Sequence, residues 1–408
     1  MKTRTNGSRT ELRVSLCSMA CLVAWICFVP AVQAQVNSGS DGHDGVFNPT
    51  ATNTVINMTD HPDGIYHYTE VNIPAYVTVT FIPNANNSPV VWLVQSSCVI
   101  SGIVDVSGQN AGGAGGRAGG PGGYRGGNGD NSPTRGQGPG GGATCDGGCY
   151  MSGGNASFGS LGGVWAPYQG TPGEVYGNTF LLPLLGGSGG GGSTGTAYGG
   201  AGGGGAILIA ASQFIQIDGS IVASGGRIPV NDNHTGGGGS GGGIRLVTQS
   251  LRGGGQITCS GGSVPRAGNS GGSGRIRLDY LESLFGGTLN GTVSQGFQPI
   301  IIPAAGQGIQ LNIASVGGVA VPANPSGVPV PADVTIPGQQ VNPITIVVHC
   351  SNLPLNTPIT VTVRPANGSP VSAVGSNSTG TQTSSTATVS LNMPRGGGII
   401  YATAATWS

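Results

Sequence analysis

The sequence predicts an all-β chain: a glycine-rich right-handed parallel β-solenoid with long glycine-rich excursions, followed by a C-terminal immunoglobulin-like β-sandwich. Three observations carry this expectation. Short strand-forming segments repeat along the middle of the chain, glycine tracts separate them, and the last hundred or so residues alternate apolar and polar side chains between Pro, Asn and Gly turns.

The N-terminus comes first. Lys2, Arg4, Arg9 and Arg13 precede and enter an apolar run, Val14 to Val29, and "PAVQA" then places small residues before a cut after Ala34. This is the pattern of a cleaved secretory signal peptide over residues 1–34. The alternative, a membrane anchor, needs roughly 20 apolar residues, which the run does not reach. Cleavage leaves eleven arginines, no lysine and fourteen acidic residues, a net charge of about −3. That balance excludes a basic footprint for nucleic acid or an anionic membrane, and no membrane span is expected after cleavage. Only 7% of the chain is charged, against about 25% in ordinary soluble domains, so solubility must rest on Asn, Ser, Thr, Gln and exposed backbone.

Five cysteines follow the leader, Cys98, Cys145, Cys149, Cys259 and Cys350. An odd number in an exported chain leaves at least one thiol unpaired or intermolecular. "CDGGC" could close a small disulfide between Cys145 and Cys149 in an oxidising compartment. Zinc at this pair is disfavoured, because no histidine stands at ligand spacing.

Residues 35–89 form a β cap region, in which "VINMTDHPDGIYHYTEVNIPAYVTVTFIPNANNSP" reads as short strands separated by "HPDG", "IPAY" and "PNANNSP" turns. Residues 90–297 carry the repeats. "VVWLVQSSCVISGIVDVSG" from Val90 aligns without a gap to "ILIAASQFIQIDGSIVASG" from Ile207, so that Gly102 matches Gly219 and Gly108 matches Gly225. A third copy from Ile244 fits with one residue deleted, and a fourth from Ile276 with about three inserted. Within a copy, Phe214, Ile217 and Ile221 are the expected inward positions. Such short strands bury their faces only by stacking copy on copy. "LDYLESLF", Leu278 to Phe285, is the single helix candidate after the leader, at most two turns long.

In the insert, 39 of the 97 residues from 109 to 205 are glycine, a composition that by itself suggests a flexible tract. Against that, "AGGAGGRAGGPGGYRGGNG" spaces glycine every third residue, which would line one edge of a threefold extended helix. The tract also contains apolar islands, "GGVWAPYQG" and "NTFLLPLLGG", that a solvated linker would avoid.

Through "GGGGAILIAASQFIQIDGSIVASGG" and "GGGIRLVTQSLRGGGQITCSGG" the chain resembles exported glycine-rich bacterial proteins with parallel β-helix repeats, at the adhesin-like end of the pectate-lyase-like group. "GGPGGYRGG" and "GGAGGGGAILI" also resemble the glycine-rich domain of receptor tyrosine kinase ectodomains and phage adhesins, in which polyglycine helices pack beside strands. These resemblances cover residues 90–297 and imply a secreted or outer-surface protein. No translocator barrel or sortase-type motif is visible, so attachment is expected to need another partner.

Residues 298–408 supply "IQLNIASV", "PITIVVHC", "PITVTVRPANG", "STATVSLNM" and "GIIYATAAT", the strands of the expected sandwich, without a Cys…Trp…Cys signature.

Chemistry is sparse. Glycoside hydrolysis needs two convergent carboxylates. The repeats offer Asp105, Asp218, Asp279 and Glu282, yet Asp105 and Asp218 fall in different columns and Asp279 in the first strand of its copy, so no ladder of acids forms, and Arg245, Arg275 and Arg277 read as strand-end residues. "SDGHDG" and "DHPDG" are the densest polar clusters, and Asp41, Asp44, Asp60 and Asp63 are candidate calcium ligands, although Asp-Gly pairs are also ordinary turn formers. His234 and His349 stand alone. The expectation is therefore an exported structural or adhesin-like protein without catalytic activity, meeting extracellular polysaccharide or cell-surface components through groups such as Tyr124, Trp165 and Tyr168. The alternative is a carbohydrate-binding or polysaccharide-degrading protein.

Overall fold

The computed structural model describes residues 36–144, 152–165, 169–194, 198–229, 235–265, 269–296, 309–323, 325, 332–365 and 369–404. The expected leader and the Cys145–Cys149 pair lie outside the described residues. So does Tyr168.

In chain order the first strands are β1 (Gly45–Phe47), β2 (Asn53–Asn57), β3 (Ile65–Ile73), β4 (Thr78–Ile82), β5 (Val90–Val94), β6 (Ser97–Ile100) and β7 (Ile103–Asp105). After the glycine insert come β8 (Ala206–Ile217), β9 (Ser220–Val222), β10 (Gly243–Gly253), β11 (Gln256–Thr258), β12 (Arg275–Phe285), β13 (Thr288–Asn290) and β14 (Thr292–Gly296). They build two parallel sheets. One has eight strands in the order β1-β3-β5-β8-β10-β12-β14, with β6 pairing β3 and β8. The other has six, in the order β13-β11-β9-β7-β4-β2.

Register follows the repeat. Val90 pairs with Ile207 and Ser97 with Phe214, the same offset as the ungapped alignment. The one-residue deletion of the third copy appears as a register shift between Thr248 and Ser250. The fourth copy needs no insertion: Ile276 pairs with Ile244 and Thr288 with Gln256 at one constant offset, and the extra residues belong to β14, which pairs with β12.

Between the sheets lies one apolar core that includes Trp92, Ile207, Ile209, Ile217, Ile221 and Ile257. Ile215, not Phe214, takes the inward position; Phe214 is only partly buried, beneath the Arg252 guanidinium. The outer face of the eight-stranded sheet is covered too. Val36 and Leu184 pack on Leu93, Leu208, Ala210 and Val247, which explains why "AILIAA" is apolar at every position instead of alternating. Leu184 comes from the island "NTFLLPLLGG".

The glycine tracts are packed. Gly127 N–H donates to Gly190 O, Gly190 N–H to Ala201 O, Gly191 N–H to Gly154 O and Gly237 N–H to Gly191 O, all at 2.8–3.0 Å. Extended segments from distant parts of the chain therefore satisfy one another's amides. A Cβ added at Gly142 would overlap the Gly154 carbonyl oxygen, and one at Gly192 would overlap that of Asn128, so only glycine permits this approach. The ladder of the six-stranded sheet runs on into these segments, where Gly108 N–H donates to Ser224 O and Gly225 N–H to Ser260 O.

The C-terminal strands are β15 (Gln310–Val316), β16 (Val319–Ala320), β17 (Ile344–Ser351), β18 (Pro358–Pro365), β19 (Val371–Ser376), β20 (Thr379–Gly380), β21 (Ser385–Leu391) and β22 (Gly398–Ala404). They make a five-stranded antiparallel sheet, β16-β15-β17-β21-β20, and a three-stranded one, β19-β18-β22. Ile346, Val348, Cys350, Val361, Ala387 and Val389 are among the residues of their shared core.

The expected fold class is thereby corrected. The described chain is nearly all β, but its architecture is two parallel and two antiparallel sheets, not a right-handed β-solenoid with glycine excursions followed by an immunoglobulin-like domain. Repeats specify register within a sheet; they do not specify the hand of the connections or what packs beside the strands. Alternation likewise identifies the buried face of a strand without choosing its neighbours. The helix candidate is also corrected, since Leu278–Phe285 lies in β12, where a ten-residue-pair ladder to β10 outweighs local propensity. The single helical turn among the described residues is Met58–Asp60, capped by the Asn57 side chain, which accepts from Thr59 N–H at 3.2 Å. No helix there is long and apolar enough to cross a membrane.

Candidate metal centre

The two acidic clusters of the sequence meet at the start of the parallel sheets. Residues 38–45 fold back over β3: Ser40 Oγ donates to Tyr68 O at 2.8 Å, Asp44 N–H to His67 O at 3.0 Å, and Gly45 N–H closes a turn onto Gly42 O. Gly42 has φ +76°, a conformation an L side chain resists, and it turns the loop between Asp41 and His43. The second cluster follows the helical turn, and Gly64 N–H returns to His61 O.

Asp41, His43, Asp60, His61, Asp63 and His67 line one open depression. At its centre, Asp41 Oδ1 lies 2.6 Å from His43 Nδ1 and 3.3 Å from His67 Nδ1. The His43 and His67 rings stack with centroids 4.8 Å apart. Asp44 stands behind them. Its Oδ2 accepts the His67 amide at 2.6 Å and lies 3.6 Å from His43 Nε2, while its Oδ1 is 3.4 Å from His61 Nε2. His61 in turn stacks on Tyr66 at 4.1 Å.

The hydrogen bond from His43 holds the Asp41 carboxyl below its ordinary range, and the same bond raises the imidazole of His43. Tyr66 is pushed up to about 12, first by burial and then by Asp44, Asp60 and Asp63.

Of the four aspartates expected from sequence, all reach this region, but their roles differ. Asp41 faces two imidazoles, Asp44 stands beside two imidazoles and accepts the His67 backbone amide, Asp63 accepts the Ile65 amide at 3.1 Å, and Asp60 is exposed at the rim. His67 is the residue that sequence reasoning missed. It sits in β3 between buried Tyr66 and Tyr68, where alternation marks it only as an outward position.

The remaining polar candidates are dispersed. Asp279 is buried between Arg245 and Arg277, Asp105 accepts the Ser107 amide at 2.8 Å, and Asp218 accepts from the Gln216 side chain at 2.6 Å. Arg275 donates to Tyr176 O and lies over Phe158. His349 is exposed on β17, Tyr124 and Trp165 are half-buried, and His234 is outside the described residues. Cys98, Cys259 and Cys350 are free and buried.

A second concavity, of about 1900 Å³, lies between the glycine tracts and the C-terminal sheets. Arg125, Arg135, Arg364 and Arg395 line it, and burial with the nearby Arg364 charge lowers Arg135 to about 10.

No protein-family model, no curated protein and no solved structure matches the chain, so its reading rests on this geometry.

Proposed function

We propose that the chain is an exported structural or adhesin-like protein of the cell surface or matrix, working as a stiff scaffold without catalysis. The observation that carries this reading is the packed glycine region. It ties segments far apart in sequence together through backbone bonds, which favours rigidity over a mobile active-site loop. The resemblance to exported glycine-rich proteins and the leader-like N-terminus support the surface location. The acids of the repeats support the absence of catalysis: Asp279 is enclosed by two guanidiniums, and Asp105 and Asp218 are engaged separately, so they do not form the convergent pair that glycan hydrolysis uses. A glycan-array and cell-binding screen paired with a polysaccharide degradation assay tests the reading. Binding without turnover is expected; turnover overturns it.

The arginine-lined concavity favours one elaboration, binding of an acidic polysaccharide there. On that reading, retention by a polyuronate column falls with salt and with Arg395→Ala.

A further inference from the structure

Three of the five histidines of the chain converge on a single depression, from a loop, a turn and a strand. Asp41, His43 and His67 each present a donor atom there, all within 4.8 Å of one another. We propose that these three residues bind a divalent zinc-class ion, with the remaining position open to solvent or to a ligand. This goes beyond the surface-protein reading and does not depend on it.

The donor set argues for zinc over calcium. Two imidazoles and one carboxylate suit a borderline-soft ion, whereas calcium takes six to eight oxygens. The oxygens of Asp44, which a calcium site would need, already face the His67 amide and His61.

One of the three donor separations already suits a tetrahedral site, and the set lies within 4.8 Å, so binding closes the site by small side-chain movements. Ligand bonds of about 2.0–2.2 Å place donor pairs roughly 3.3 Å apart, which is the Asp41–His67 separation. The Asp41–His43 contact is shorter, 2.6 Å, because a proton now joins the two atoms. The ion takes the place of that proton, which leaves to water, and the contact opens. It also replaces the long 3.3 Å bond from the Asp41 amide to His67 Nδ1.

The surroundings match those of a metal-ligating histidine. With His43 bound through Nδ1, its Nε2–H lies 3.6 Å from Asp44 Oδ2, beyond hydrogen-bond length but within a small ring movement of a carboxylate of the kind that orients a ligating imidazole. His67 is mostly buried and its backbone amide is held by the same carboxylate, so one ligand is fixed while the other two sit at the exposed mouth.

The test is isothermal titration of the chelator-stripped protein with zinc chloride, alone and with excess calcium. One zinc per chain is expected, unaffected by calcium, with the dissociation constant raised about tenfold or more in Asp41→Asn, His43→Ala, His67→Ala and Asp44→Asn and unchanged in His349→Ala. Circular dichroism of each variant checks folding. Independently of any variant, the imidazole resonances of His43 and His67 in the unmodified protein must shift with the first equivalent of zinc. Absence of zinc binding, equal competition by calcium, undiminished affinity in folded His43→Ala and His67→Ala, or zinc-induced shifts confined to His61 and His349 would each overturn the proposal.

Discussion

Arg277 donates to Asp279 through both Nε, at 2.9 Å, and Nη2, at 2.6 Å, from two positions away on the same strand, and both side chains are buried. Arg245, its partner across the ladder, reaches the other carboxylate oxygen at 3.2 Å, and burial lowers its pKa. Two cations thus share one buried anion. Removing that anion leaves both uncompensated, and Asp279→Asn is expected to cost about 3–5 kcal/mol. Arg245→Met leaves a matched pair and should cost less. Urea midpoints of the two variants check the order; the reverse order contradicts the network.

Backbone contact in the glycine region predicts a sharp positional contrast. Gly142→Ala and Gly237→Ala each drive a methyl into the Gly154 carbonyl and should destabilise by about 1–3 kcal/mol through forced displacement. Gly254→Ala meets open space, has no positive φ, and should be neutral or stabilise by up to about 1 kcal/mol. Thermal melts of the three variants decide it. Equal effects would show that the close approach is unimportant.

Thiol chemistry offers a third check. Burial raises the pKa values of Cys98, Cys259 and Cys350, and buried, protonated thiols are poor nucleophiles. Mass mapping after brief iodoacetamide treatment near pH 8 should find these three unmodified in the folded protein and alkylated in denaturant. Rapid labelling of Cys98 or Cys259 without denaturant would place them outside the core.

The Asp41–His43 pair sets a pH window in the metal-free protein. Asp41 is lowered and His43 raised, each first by their mutual hydrogen bond. The pair therefore favours the folded state above the unfolded aspartate pKa and below the unfolded histidine pKa. The favourable contribution disappears on acidification through the folded Asp41 value and on alkalinisation through the folded His43 value. Proton NMR titration should find His43 above the ordinary histidine range, and Asp41→Asn should move it back down. An unmoved midpoint would exclude the bond.

Much of the parallel region was legible in the residues. A gapless match from Val90 to Ile207 anticipates the pairing because side chains on stacked strands meet neighbours of their own kind, and conserved spacing is register. The glycine packing was not legible to the same degree. Glycine has no side-chain pattern from which a partner can be read, so "GGSGGGG" looks alike as a loose linker and as a backbone-packed segment. Leu278, Leu281 and Phe285 satisfy a helical spacing as well as a strand, and only the ladder to β10 distinguishes them. The site was half visible: "SDGHDG" and "DHPDG" stand out by composition, while His67, on β3, joins them only because the 38–45 loop folds back over that strand, a contact made in three dimensions.

The packed glycine region carries a thermodynamic consequence. Unfolding the apolar core raises heat capacity, whereas exposing peptide groups lowers it. A domain whose interior consists in large part of peptide groups bonded to one another should therefore unfold with an unusually small heat-capacity increment per residue. Its free-energy curve is then broad and shallow, with little loss of stability on cooling, and scanning calorimetry over several pH values would measure that curvature directly.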